Sequence, residues 1–188
     1  MSYSIEKDYK THFSSLLEDL KQQLLSAQSS LDILKGLVTD LGVVDVLNKY
    51  RGFFTPTIYA HRDLLFIKLC NVMDKKGRAP GLYRILKMVD EHKDVGAGVD
   101  IPALCSRLEK HEDILRRIKN FRDTRAAHWD TEVAESIKEI RFDEISSLLK
   151  EIEAIFNEIH RAHIKGATSS FKDFDHDDVA HLIEKLKK

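Results

Sequence analysis

Ile5, Tyr9, Phe13, Leu16, Leu20, Leu24, Ala27, Leu31 and Leu34 recur at steps of three and four. An α-helix turns by about 100° per residue, so this spacing draws one apolar stripe down a single helix of about eight turns. Alternation in a strand would scatter the same side chains over both faces. A stripe of that length cannot bury itself, so the remaining chain must cover it. With 8 Gly and 3 Pro in 188 residues, that chain has few breakers and favours further long helices over many short strands. The expectation is an all-α protein. Its composition, 43% hydrophobic and 32% charged, suits one domain with a sizeable core.

Gly36 is expected to close the first helix. Leu37 to Phe54 contains Gly42 and Gly52 and reads as a short helix between turns. Thr55 then caps a second long helix with Pro56 at its first position, running to about Met73. Its apolar run from Leu64 to Val72 places it centrally in the core. A polar turn from Asp74 to Gly81 leads to a helix over about Leu82 to Glu91. Another long helix runs from Pro102 to Trp129. Ile145, Leu148, Ile152, Ile155 and Ile159 mark the next, with Asp143 as cap and Gly166 as stop. A polar linker, Ala167 to Phe174, precedes a short helix with acids at its start and Lys185, Lys187 and Lys188 at its end, matching the helix dipole. Residues 1–166 are thus the bundle, and residues 167–188 a linker and short helix of the same domain.

Net charge is -1, from 30 basic and 31 acidic residues, which excludes a globally basic nucleic-acid binder and confines any anionic partner to a local patch. The first eight residues lack a basic-then-apolar signal. The longest apolar stretch, Leu64 to Cys70, is interrupted by Lys68 and too short to span a bilayer. A soluble, cytoplasmic protein with no membrane partner is expected. Cys70 and Cys105 lie among apolar neighbours and read as buried free thiols. His160 and His163, with Glu158 nearby, lack a third ligand placed by the sequence, so they read as a solvated or packed pair. Neither a metal nor a cofactor is expected, and no Gly-rich phosphate loop or nucleophile elbow is present.

The helix from Pro102 to Trp129 breaks its own pattern. Its stripe is Leu104, Leu108, Ile114, Leu115, Ile118 and Phe121, and Arg122, Arg125 and His128 fall on the continuation of that stripe, within about 80° of Ile118. Burying unpaired guanidinium groups there would be costly. Between Arg116 and Arg125 five basic residues (Arg116, Arg117, Lys119, Arg122 and Arg125) face one acid, Asp123. Either this helix end leaves the core or its cations face a partner. Basic residues late in a helix also complement its dipole, and helix physics alone leaves both readings open.

The heptapeptide Arg122-Asp123-Thr124-Arg125-Ala126-Ala127-His128 resembles the signature of the HEPN superfamily, an Arg, a polar residue, a short spacer and a His on a late helix. The wider phrase Phe121 to Asp130, with Val72-Met73-Asp74 and Gly81-Leu82-Tyr83-Arg84-Ile85-Leu86, is similar to the branch found in abortive-infection proteins of the U type. The likeness covers roughly Ile5 to His163; the C-terminal helix has no evident counterpart. It implies an up-and-down helical bundle of HEPN type with an extra C-terminal helix. It further implies a metal-independent endoribonuclease of a toxin–antitoxin or phage-defence system, acting as a homodimer on RNA and restrained by a cognate antitoxin protein. On this chain His128 would be general acid or base, Arg122 the phosphate-binding group and Asp123 the residue that orients them. Arg125, Lys119 and Arg116 would bind flanking phosphates. A non-catalytic HEPN-like module that binds RNA or protein through the same helix end is the alternative.

Six residues separate Arg122 from His128, about 9 Å along a helix and about 120° around it. One protomer would therefore offer half a site, which a two-fold dimer would complete.

Overall fold

The computed structural model describes residues 2–38, 43–127, 140–165, 168–171 and 177–187. Along them lie α1 (Ser2–Val38), α2 (Val44–Lys49), α3 (Arg51–Val72), α4 (Leu82–Glu91), α5 (Ile101–Glu109), α6 (Glu112–Ala127), α7 (Phe142–His163) and α8 (Asp177–Leu186), with no strand among them. The fold is all-α, as the spacing of apolar residues predicts.

Helix α1 is the spine. From Phe13 to Leu34 its stripe is no more than 3% exposed, and Leu17 joins it. Helix α3 covers most of it, and α4, α7 and α8 pack against it along its length. Each Leu or Phe buried in this way stabilises the fold by roughly 1.5–3 kcal/mol. The stripe predicted for α7 is buried in full, with Leu149 and Phe156 added. A second, smaller core gathers Leu37, Val43, Val46, Phe54, Val179 and Ile183 where the end of α1 meets α2, the start of α3 and α8.

Four expectations are corrected. Gly36 does not stop α1, which continues to Val38. A Cβ at Gly36 would lie 2.9 Å from Cβ and Cγ1 of Val179, so the glycine lets α8 approach rather than ending a helix.

Helix α3 starts at Arg51, not at Pro56, because the Tyr50 carbonyl already accepts from Phe53 N (2.9 Å) and Phe54 N (3.1 Å). Pro56 sits inside the helix, where its missing N–H forfeits one backbone bond. Nor is α3 enclosed on all sides. Leu65, Phe66, Leu69 and Val72 face the core, whereas Phe53, Leu64 and Ile67 are 62%, 37% and 46% exposed along its outer side.

The helix expected from Pro102 to Trp129 is two helices. Asp100 Oδ1 accepts from Ala103 N at 3.1 Å to start α5, and α6 restarts after a turn at Lys110 and His111. The gap in the stripe between Leu108 and Ile114 is filled by charged and polar residues, and Glu112 and Asp113 are first-turn acids of a new helix. The last correction is at α7, where Arg141 holds the cap position and its backbone N–H donates to Glu144 at 3.1 Å, while Asp143 pairs with the Arg141 side chain instead. Gly166, the expected stop, lies outside the described residues.

Charged side chains tie the outer helices to α7. Arg107 of α5 donates to Glu151 (2.6 Å) and Glu158 (2.9 Å), and Arg117 of α6 reaches Glu144. The Asn157 carboxamide clasps the Ser169 backbone, donating at 3.0 Å and accepting at 2.7 Å, which seats Phe171 edge-on against Phe156. No described helix is long and apolar enough to cross a membrane.

Candidate functional site

The motif grows out of the buried face of α6. Ile114, Ile118 and Phe121 are in the core, and the Phe121 ring meets Phe66 of α3 edge-on at 5.1 Å. Arg122 follows at the flank of that stripe and is half-buried. Its Nε and Nη2 donate to one carboxylate oxygen of Asp123, at 2.9 and 2.6 Å. That hydrogen bond raises the Arg122 pKa further, against the effect of burial. The Cys70 thiol of α3 lies beside the guanidinium: burial pushes its pKa up, and the charge of Arg122 acts the other way. A guanidinium fixed by one carboxylate and lining a groove is suited to phosphate oxygens.

Arg122 lines a groove of about 890 Å³ between the last turn of α3, the turn from Asp74 to Ala79, and α6. Three carboxylates line it too, and each is engaged. Asp74 accepts from the backbone N–H of Lys76 (3.2 Å) and Arg78 (3.0 Å) and from the Arg78 side chain (3.4 Å). Burial alone would raise its pKa; the hydrogen bonds outweigh that and hold it below the ordinary carboxylate value. Glu112 pairs with Lys75, and Asp113 with Arg116 and Arg117. Lys76 and Lys119 have no carboxylate partner among the described residues.

The predicted site residues divide accordingly. Arg122 and Asp123 form a pair, and Arg116 and Lys119 share the groove with Arg122, although Arg116 is tied to Asp113. Arg117 leaves the cluster for Glu144, so the five cations do not form one patch. Arg125 lies within α6, its side chain outside the described residues, as is the whole of His128.

Sequence reasoning missed the second wall of the groove. Lys76, Arg78 and Asn71 were read as a polar turn and a helix end, although three cations in four residues directly after a core helix was the available signal. It also passed over Arg62. Its side chain is only 12% exposed, and its guanidinium is bonded to Asp63 and lies over the rings of Tyr59 (4.8 Å) and Phe121 (5.0 Å). Arg62 thereby braces the α6 residue next to the motif. Both cysteines are unpaired, and both are half-buried rather than fully buried.

His163 bonds Ser14 Oγ at 3.0 Å and meets Phe13 edge-on at 4.8 Å, while His160 packs on Phe156 with its Nδ1 buried and unpartnered. Desolvation lowers the pKa of both rings, and of His61, below the ordinary 6.5. The unfolded chain therefore takes up these protons near 6.5 while the folded chain resists them, so stability is whole above that value and is lost as pH falls below it. Melting temperature is expected to drop between about pH 7 and pH 5. His160→Leu should flatten that slope in a thermal-denaturation series, and an unchanged slope would refute the assignment.

A family model described as HEPN_AbiU2: AbiU2 matches residues 10–182. It runs past His163 into α8, which corrects the expectation that the C-terminal helix has no counterpart. No curated protein and no solved structure matches the chain.

Proposed function

The chain belongs to the AbiU2 family of HEPN-type abortive-infection proteins, and we propose that it is a metal-independent endoribonuclease whose site is shared by two protomers. The observation that carries this reading is the Arg122 fork, fixed by Asp123 at the edge of an open cationic groove. RNA supplies its own nucleophile, the 2′-hydroxyl, which attacks the adjacent phosphorus, expels the 5′-oxygen of the next nucleotide and leaves a 2′,3′-cyclic phosphate. The reaction needs a proton acceptor for the hydroxyl, a proton donor for the leaving oxygen and cations around the phosphoryl oxygens. Arg122 is the cation and His128 the proton-transfer group; Asp123 orients the guanidinium. Arg125, Lys119 and Arg116 bind neighbouring phosphates.

Dimerisation is part of the proposal, because one chain offers one such histidine at this motif. The exposed apolar line Phe53, Leu64 and Ile67 on α3, the helix that also carries Cys70 beside Arg122, is a surface suited to a second copy. A cognate antitoxin protein that covers the motif is the expected partner in the cell, where the protein works in the cytoplasm.

Incubating the purified protein with mixed RNA in excess chelator tests the reading. Fragments ending in 2′,3′-cyclic phosphate are expected. Intact RNA in chelator with cleavage restored by magnesium would overturn the metal-independent mechanism.

A further inference from the structure

Resting on that reading, we propose that the groove between α6 and the turn from Asp74 to Ala79 holds the single-stranded RNA that flanks the scissile bond. In this arrangement Lys76 and Arg78 form the outer wall. Among the described residues six cationic and three acidic side chains line the groove, in a chain whose net charge is -1. Since the three acids are already engaged, the field offered to a ligand is that of Lys76, Lys119 and the outer edges of Arg78 and Arg122. This is charge complementarity to a polyanion, not to a peptide of mixed sign.

Shape points the same way. From Glu112 to Arg122 the groove follows α6 for about 15 Å, the length of about four stacked nucleotides at 3.4 Å each. Arg122 stands at one end, so a strand with its scissile phosphate on Arg122 runs back along α6 past Lys119 towards Arg116. Met73, Ala79 and Leu115 give the groove apolar patches for ribose and base edges, and Asn71 and Asn120 supply carboxamides. Among the described residues no aromatic ring lines it, so these residues offer no stacking platform. It therefore reads the backbone, and recognition along it depends on salt and length more than on sequence.

The test uses fluorescence anisotropy with non-cleavable 2′-O-methyl RNAs of two and six nucleotides. For the wild type, affinity should rise steeply from the dimer to the hexamer. In the Lys76→Ala/Arg78→Ala protein that gain should shrink several-fold, and the salt slope for the hexamer should fall by about 1.4, or about 0.7 for each phosphate contact removed. Lys76→Ala alone, which leaves the Asp74–Arg78 pair intact, should give half that change. Lys87→Ala, an exposed lysine on α4 away from the groove, should give none. Equal length gain and salt slope in wild type and double variant would overturn the groove proposal and leave the nuclease reading standing. Failure of the wild type to bind either RNA, or to cleave any, would overturn both.

Discussion

Replacing Arg122 by Ala is expected to reduce RNA cleavage by about 10²–10³-fold, the usual effect of removing one charge-stabilising donor from the developing oxyanion. Stability should change little. The side chain is half-buried at the flank of the stripe, and its partner Asp123 is exposed enough to be solvated when left alone. Lys at the same position should restore only part of the activity, because a single ammonium cannot reproduce the planar fork held by Asp123. His128→Ala should cost about 10²–10⁴-fold through lost proton transfer, in a protein with unchanged circular dichroism. Cleavage at the wild-type rate by purified His128→Ala protein, free of host nucleases, would sink the assignment.

Gly81→Ala, at a buried position, is expected to have a large effect on folding. The residue is the extended N-cap of α4, and an added Cβ would stand 2.5 Å from the Asn71 carbonyl oxygen and 2.7 Å from that of Val72. Both obstacles are backbone, so no side chain can swing aside. The start of α4 must lift from the end of α3, carrying Leu82 and Ile85, both fully buried, out of register with the core. Overpacking of this kind costs about 2–3 kcal/mol, which for a chain of this size lowers Tm by about 5–10 °C. The turn from Asp74 to Pro80 would move with it, breaking the bond from the Gln23 carboxamide to the Pro80 carbonyl (2.6 Å). Hexamer binding should therefore weaken as well. A Tm within about 1 °C of wild type would show that the two helices do not meet so closely.

Much of the bundle is legible in the sequence because periodicity is a local property. Leu20, Leu24, Leu31 on α1 and Ile152, Ile155, Ile159 on α7 announce their buried sides from spacing alone. Errors arose where a local rule had two readings. Pro56 looked like a first helical residue, yet the helix had begun a turn earlier at the cost of one hydrogen bond. Gly36 looked like a stop, but the reason for a glycine there is Val179, which is close only in the folded chain. The candidate site shows the same divide. Arg122 and Asp123 are neighbours in sequence and stand out as a motif, whereas Lys76 and Arg78 join them only because Phe66 and Phe121 bring α3 against α6. No pattern within one helix reports that contact.

The turn at Lys110 and His111 has a mechanical consequence. A continuous helix would have made α5 and α6 one rigid rod, held to α7 through Arg107. With the rod divided, α6 is a lever whose fulcrum is the turn, whose tether to α7 is Arg117 on Glu144, and whose far arm carries Arg122 about 18 Å from the fulcrum. A tilt of about 5° about such a fulcrum would carry the guanidinium about 1.6 Å, more than the misplacement of about 1 Å that can cost an active site 10²-fold. On the proposed two-protomer reading, whatever seats against the outer side of α6 would thus have leverage over the alignment of the half-sites without touching either one.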